Sequence, residues 1–170
     1  MAMLSSYQER RRQEAVKPPT PNEEYCRASV RAAAEIGRVA DAVVAAMAAA
    51  GYPDRDRFAV RLALEEAVAN AVKHGHQGDP AKRVRVGYRV RADRVLVEVE
   101  DQGAGFDPRR VPDPRDPENL DKPCGRGLLL MRSYTTWLRF NARGNRVTLC
   151  RARSGPGREG GEPPGPVRVV

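Results

Sequence analysis

Aromatic side chains are scarce in this chain, at 5% of its 170 residues, so a folded core must consist mainly of valine, alanine and leucine. Cysteine is scarce too. Cys26, Cys124 and Cys150 stand far apart, in none of the spacings that hold zinc, which argues against a metal-thiolate site and a disulfide framework. The longest apolar stretch, residues 40–51, contains Asp41 and falls well short of the roughly 20 residues of a membrane span. Charges occupy the place where a secretory signal has its apolar segment, so we expect a cytoplasmic location.

The charge of the chain is biased, with a formal net charge of +8, and basic patches of proteins bind nucleic-acid phosphates. Four of the arginines, Arg83, Arg85, Arg89 and Arg91, fall on one face of a predicted strand because they alternate with other residues, mostly valines. A solvated sheet face is the simplest explanation of this pattern, and we expect no nucleic-acid partner. Binding of an acidic protein or of nucleic acid remains the alternative.

The two ends of the chain have little that could pack in a core. We predict a flexible tail over residues 1–23, which are polar and contain prolines, and a disordered tail rich in Gly and Pro over residues 153–170. The folded unit is then one domain over residues 24–152. Inside it, residues 107–124 are rich in proline and charge and are flanked by glycine motifs. A run of this kind is typical of a lid.

The hydrophobic pattern of the folded unit changes between the period of a strand and that of a helix. We predict strands over residues 25–31, 83–91, 94–101, 135–140 and 146–151, and helices over residues 33–50, 54–74 and 127–132. Asp54 is the expected N-cap of the second helix, which Gly75 ends. This order of elements predicts an α+β fold, a two-layer sandwich with its helices on one face of a mixed or antiparallel sheet.

The second predicted helix carries polar residues that could take part in catalysis or metal binding. Its residues 65–74 read EEAVANAVKH. At 100° per residue, Glu66 and Asn70 lie within about 40° of each other, and Lys73 lies about 20° to the other side. A carboxylate can accept a proton from a hydroxyl group, and an amide oxygen is a suitable ligand for Mg²⁺. The same pattern is also typical of the solvated face of an amphipathic helix.

Two glycine motifs flank the predicted lid. Residues 101–106, DQGAGF, follow a predicted strand, where a carboxylate can accept a hydrogen bond from an amino group such as that of adenine. Residues 125–127, GRG, open a predicted helix, whose free backbone N–H groups favour phosphate. Each motif by itself also fits an ordinary glycine turn or helix entry. The common nucleotide motifs GxxxxGK[ST] and GxGxxG are absent.

In this order, the motifs E-x-x-x-N, D-x-G-x-G-F and G-x-G resemble those of the Bergerat ATP-binding fold of the GHKL superfamily, across residues 24–152. Within that superfamily, residues 64–74 resemble the helix motif of the small anti-sigma-factor serine kinases of the RsbW and SpoIIAB type. The resemblance implies ATP and Mg²⁺ as cofactors.

The resemblance also implies a role for each motif residue. Glu66 would accept the proton of the acceptor serine hydroxyl, Asn70 would ligate Mg²⁺, and Asp101 would accept a hydrogen bond from the adenine amino group. The other implied nucleotide-binding residues are Lys73, Gly103, Gly105, Gly125, Arg126, Gly127 and Thr148. Lys73 and Arg126 would supply positive charge to the phosphates, and the Thr148 hydroxyl would support Asp101.

The function that the resemblance implies is an ATP-dependent serine/threonine protein kinase. It would phosphorylate an anti-anti-sigma-like partner and regulate transcription through partner switching, with sigma-factor binding and homodimer formation left open. One alternative is a non-catalytic switch of the same fold, whose lid changes partner affinity with ATP or ADP. Glu66 favours the kinase, since a switch needs no base. The other alternative, a basic nucleic-acid adaptor, lacks a basic helix, a zinc spacing or an aromatic RNA-binding motif.

Overall fold

The computed structural model describes residues 25–77, 79, 81–119, 121, 125–155 and 167–169. The predicted N-terminal tail, residues 1–23, lies outside these residues. The strands are β1 (Cys26–Val30), β2 (Val84–Val90), β3 (Arg94–Glu100), β4 (Trp137–Phe140), β5 (Arg146–Ala152) and β6 (Val167–Val169). The α-helices are α1 (Ile36–Ala49), α2 (Asp54–Asn70) and α3 (Arg126–Tyr134).

The strands form one mixed sheet in the order β1-β2-β3-β5-β4-β6. Every pair of neighbours is antiparallel except β4 and β6, which are parallel. In the centre of the sheet, Val97 of β3 lies opposite Tyr88 of β2 and Leu149 of β5. The helices pack on one face of this sheet, which confirms the predicted α+β sandwich.

Alternation along the strands and helical spacing along α1 and α2 bring the apolar side chains to one layer. Because successive side chains of a strand point to opposite faces, the valines at every second position of β2 and β3 face the helices. The buried members of this layer include Val84, Val86, Val95, Val97 and Val99 from the sheet, and Val39, Val43, Met47, Val60, Leu64 and Val68 from the helices. The apolar side of α2 is therefore fixed against the sheet, which leaves Glu66 and Asn70 on the other side of the helix.

Helix α2 differs from the prediction at both ends. The N-cap is Pro53, in an extended conformation, so Asp54 is the first helical residue rather than the cap. The α-helix ends at Asn70, and Ala71–His76 continue as a turn of π-helix that contains Gly75. The predicted angular position of Lys73 does not apply, because a π turn advances by a smaller angle per residue than an α turn.

The predicted C-terminal tail is wrong at two places. Val167–Val169 form β6, which pairs with the edge of β4. Arg153 and Gly155 are also held, since the Arg153 guanidinium lies 5.1 Å from the centre of the Tyr52 ring and Gly155 accepts a hydrogen bond from Arg55. Composition predicted a tail because Gly and Pro dominate it, but an open strand edge and side chains of the helical layer supply partners from elsewhere in the chain.

A buried cluster, here called the C-terminal clasp, consists of Asp56, Arg151 and Ser154. The Asp56 side chain, on the first turn of α2, is completely buried. Its carboxylate accepts hydrogen bonds from Arg151 Nε at 3.0 Å and Nη2 at 2.8 Å, and from the backbone N and the Oγ of Ser154, both at 2.7 Å. The clasp therefore fixes the end of β5 to the start of α2.

The arginine face of β2 is only partly solvated. Arg85 is exposed, with its guanidinium 3.7 Å from the carboxylate of Glu100. Arg89 is only 9% exposed, and its guanidinium stacks 4.6 Å from the centre of the Tyr25 ring. The prediction of a solvated face is thus correct for Arg85 and wrong for Arg89, which an aromatic residue upstream of β1 covers.

The described part of the predicted lid, residues 107–124, contains no α-helix or strand. It has short 3-10 turns at Pro108–Arg110 and Pro117–Asn119, each of which begins with proline. Cys124 lies outside the described residues. In the chain as far as the structure describes it, no helix has the length and apolar character needed to cross a bilayer.

Candidate functional site

Glu66 and Asn70 form a side-chain pair on the last turns of α2. They are one helical turn apart, and Asn70 Nδ2 donates a hydrogen bond to Glu66 Oε1 at 2.8 Å. Both residues are half-buried. Because the amide nitrogen is turned to the carboxylate, the amide oxygen of Asn70 points to the other side, where it can accept or ligate.

Gly127, in the first turn of α3, lies directly against this pair. A Cβ atom at Gly127 would overlap Glu66 Oε1 and would lie 2.7 Å from Glu66 Cδ and 2.9 Å from Asn70 Nδ2. Glycine at this position therefore lets the Glu66 and Asn70 side chains keep their positions against the start of α3. It brings the positive end of the α3 dipole, with its backbone N–H groups, next to a carboxylate and an amide.

The described lid returns to the start of α3 at Gly125. This residue has a left-handed φ of 83°, and a Cβ atom there would overlap the carbonyl oxygen of Pro112 and lie 3.2 Å from Pro114 Cδ. Glycine is needed for both the conformation and the contact. The lid and the N-terminus of α3 are thus in contact without an intervening side chain.

Asp101 follows β3 and is fixed by its neighbours. Its Oδ1 accepts a hydrogen bond from the backbone N of Gly103 at 2.7 Å. A Cβ atom at Gly75 would lie 2.5 Å from both Cγ and Oδ1 of Asp101. The main chain of Asp101 pairs with Asn145, with its N donating to the carbonyl at 2.9 Å and its carbonyl accepting from Asn145 Nδ2 at 2.8 Å. Backbone and carboxylate are therefore both held in place.

The turn between β4 and β5 supports the glycine loop that follows Asp101. Arg143 Nη2 donates to the carbonyl of Gly103 at 2.9 Å. Gly105 has a φ of 82°, and a Cβ atom there would overlap the carbonyl oxygen of Arg143. The Phe106 ring packs edge to face on Phe140 of β4, with ring centres 5.4 Å apart. The loop is therefore formed in advance of any ligand.

A pocket of about 270 Å³ opens beside this loop. Its lining consists of Arg85, Glu100, Asp101, Gln102, Arg143 and Asn145. Because Arg85 and Glu100 alternate with valines that face the helices, they lie on the other face of the sheet, and this pocket opens away from the contact of Asp101 with Gly75. Residues 27–151, which include the helix pair, this loop and the start of α3, match the histidine kinase-like ATPase domain family.

The chain belongs to this family. The predicted resemblance to the GHKL superfamily is thereby confirmed.

Named relatives of this ATPase domain agree with the predicted subfamily. The chain is 31% identical to the serine/threonine-protein kinase BtrW of Bordetella bronchiseptica over 56% of its own length and 70% of the relative's. It is 29% identical to the anti-sigma F factor of Clostridium perfringens over 52% of its length and 65% of the relative's. It is 23% identical to the serine-protein kinase RsbW of Oceanobacillus iheyensis over 48% of its own length and 56% of the relative's. The matches therefore span about two-thirds or less of most of these relatives.

The structure of the ATPase domain brings most of the predicted site residues into two groups. One group is Glu66, Asn70 and Gly127, and the other is Asp101 with Gly103 and Gly105. Gly125 and Arg126 lie at the start of α3, where Arg126 is exposed. Lys73 is exposed on the π turn. That Gly125, Arg126 and Lys73 approach the phosphates of a bound nucleotide stays a prediction.

The structure does not bring Thr148 to Asp101. Thr148 pairs with Glu98 in the register of β3 and β5, and its neighbours Val147 and Leu149 are buried against the helices. Because side chains alternate along a strand, Thr148 projects from the opposite face of the sheet. Asp101 contacts Gly75 of the helical layer, so Thr148 is left out of the site proposed below.

Sequence reasoning missed several supporting residues. Gly75 serves only as a helix stop in the sequence pattern, and Arg143 and Asn145 belong to a predicted turn. Their contacts with the loop at Asp101 join parts of the chain that no local pattern relates. One indication in the sequence for Arg143 and Asn145 is their place in the turn before β5. Because β5 pairs antiparallel with β3, this turn lies beside the end of β3.

Proposed function

We propose that this ATPase domain is a serine/threonine protein kinase that uses ATP to phosphorylate an anti-anti-sigma-like protein, and so regulates transcription by partner switching. The observation that carries the proposal is the contact of Gly127 with the Glu66–Asn70 pair. A carboxylate, an amide oxygen and a helix N-terminus meet there, as phosphoryl transfer requires. The names of the relatives support the same function.

The donor set fits an adenine nucleotide. Glycine at positions 75, 103 and 127 lets site groups lie in direct contact with the main chain, since a Cβ atom at each position would collide with them. The fixed carboxylate of Asp101 can accept a hydrogen bond from the amino group of the purine. At the other group, the backbone N–H groups at the start of α3 can bind phosphate oxygens. Glu66 can accept the proton of the acceptor hydroxyl.

The fit to Mg²⁺ rests on Asn70. Its amide oxygen is a hard ligand and is left available by the hydrogen bond from Nδ2 to Glu66. In the chain as described, no group of three His, Cys, Asp or Glu side chains could hold a metal ion. Asn70 would therefore bind Mg²⁺ together with nucleotide phosphates, and the ion would neutralise charge on them.

Replacing Asp101 by asparagine should weaken the binding of ADP by about 10- to 100-fold, the cost of a lost hydrogen bond to a charged group. Since the N–H of Gly103 occupies Oδ1, the asparagine would turn its NH₂ group toward the purine and place donor against donor. Titration calorimetry of wild type and Asp101→Asn measures the loss. Glu100→Gln changes the carboxylate that precedes Asp101 in the chain but lies on the outer face of the sheet, and it should bind ADP within about twofold of wild type.

Removing the Asn70 side chain should abolish the effect of Mg²⁺ on nucleotide affinity. Wild type should bind ADP more tightly with Mg²⁺ than with EDTA, which thermal shift records as a higher melting temperature. Asn70→Ala should show the same melting temperature in both buffers. An Asn70→Ala protein that retains the full Mg²⁺ effect would contradict the ligand assignment.

The partners follow from the proposed function. We propose an anti-anti-sigma-like substrate and a sigma factor as protein partners, a homodimer as the assembled form, and the cytoplasm as the location. The named relatives include an anti-sigma factor and protein kinases. Sedimentation of the chain with and without ADP tests the dimer.

A further inference from the structure

Gly75 is placed against Asp101 by the π turn at the end of α2. The turn Ala71–His76 follows Asn70 directly, so the same helix that carries the Glu66–Asn70 pair also delivers Gly75 to the other half of the site. Gly75 is buried. Turns of π-helix inside or at the end of α-helices are frequent at functional sites, because they redirect the chain at a defined position.

The contact leaves no room for a side chain on either glycine. A Cβ atom at Gly75 would lie 2.5 Å from Cγ and Oδ1 of Asp101 and 2.7 Å from its Cβ. A Cβ atom at Gly103 would lie 2.7 Å from the Cα of Gly75 and 2.8 Å from its carbonyl oxygen. That carbonyl also accepts a hydrogen bond from Lys82 Nζ at 3.4 Å. The carboxylate of Asp101 is therefore confined between two glycines.

The backbone of Gly75 does not explain the choice of glycine. The glycines with positive φ are Gly51, Gly105, Gly125 and Gly144, and Gly75 is not among them. Alanine can adopt the conformation of Gly75 without backbone strain, and in a helical turn it is favoured over glycine. The reason for glycine at position 75 is therefore the steric conflict that a side chain would have with the Asp101 carboxylate.

We propose that Gly75 is a positioning residue that sets the direction of the Asp101 carboxylate and so the preference of the site for a purine with a 6-amino group. The proposal rests on the proposed nucleotide-binding function and adds a determinant of its selectivity. Through the π turn, it also links that selectivity to α2, which carries the Glu66–Asn70 pair.

The test compares the affinities of ADP and inosine diphosphate, which carries a carbonyl where adenine has its amino group. Wild type should prefer ADP by at least about tenfold, the value of one hydrogen bond to a charged group. Gly75→Ala should lose this preference by weakening ADP about tenfold while changing inosine diphosphate by less than about threefold. Gly37→Ala is the matched control, since a Cβ atom at this helical glycine meets nothing within 4 Å. It should bind both nucleotides as wild type does.

A Gly75→Ala protein that keeps the preference, whether both affinities fall together or neither changes, would overturn the proposal. A double-mutant cycle in thermal stability tests the contact even if Gly75→Ala is too unstable for titration. The loss of stability caused by Gly75→Ala should largely disappear in an Asp101→Gly background, because that change removes all three Asp101 atoms that the new Cβ atom would meet. Equal losses in both backgrounds would also overturn it. Wild type that binds neither nucleotide would instead count against the proposed function, while the cycle still decides the contact.

Discussion

Glu66→Gln should lower the rate of phosphate transfer to a protein substrate by about 100- to 10,000-fold, the usual contribution of a positioned general base. Glutamine keeps the length of the side chain and its contact with Asn70 and Gly127, but it cannot accept a proton. Nucleotide affinity should stay within about threefold of wild type, since transfer and binding depend on different groups. Labelled ATP and the anti-anti-sigma-like proteins of the same genome provide the assay.

Glu65→Gln is the control for this experiment. Glu65 precedes the proposed base on the same helix, but its carboxylate pairs with Arg61 Nε at 2.9 Å on the outer surface of α2. This change should leave the transfer rate within about twofold of wild type, as expected for a partly exposed ion pair at the protein surface. An undiminished rate in Glu66→Gln would remove Glu66 as base. Tight ATP binding without transfer by wild type would favour the non-catalytic switch.

Local periodicity was sufficient to predict one part of the site. Glu66 and Asn70 are one turn apart on a helix whose apolar residues, among them Leu64 and Val68, define the buried side, so their shared face follows from spacing alone. The contact of this pair with Gly127 does not follow from spacing. It depends on how α3 packs against α2, which no local pattern in the sequence predicts.

The prediction that Thr148 supports Asp101 overlooked the alternation of side chains along its strand. Val147 and Leu149 are the apolar residues of β5, so strand alternation already placed Thr148 on the other face. The π turn at Gly75 left no such signal, because a helical pattern followed by glycine predicts a stop. β6 was missed for a different reason: its partner, the edge of β4, lies outside the local sequence.

The two halves of the site are each supported by the core in a different way. The Glu66–Asn70 pair depends on the burial of the opposite side of α2. Asp101 depends on the hydrogen bonds that its main chain makes with the carbonyl and the side-chain amide of Asn145 at the end of the sheet. Any change that shifts α2 along the sheet would therefore separate the proposed base from the purine site. The C-terminal clasp lies at the other end of α2 and fixes that position.

Asp56→Ala should therefore destabilise the whole fold, lowering the free energy of unfolding by about 3–5 kcal/mol, because it leaves the Arg151 guanidinium without its buried partner. Urea denaturation of wild type and variant measures the change. Asp54→Ala is the matched control. Asp54 is on the same helical turn and pairs with Arg57, but its side chain is 91% exposed. Its removal should cost no more than about 1 kcal/mol.

The pH dependence of stability provides a second test of the clasp. Burial by itself raises the pKa of Asp56, but the hydrogen bonds from Ser154 and Arg151 outweigh it and hold the pKa below its usual value. A carboxyl group whose pKa is lower in the folded state stabilises the fold above the unfolded-state pKa, and this stabilisation is lost as the pH falls through the folded-state pKa. Wild type should therefore lose stability below about pH 4 more steeply than Asp56→Asn, which has no proton to gain. Parallel stability curves for the two proteins between pH 2 and pH 5 would show that the clasp carboxylate does not contribute as an ion.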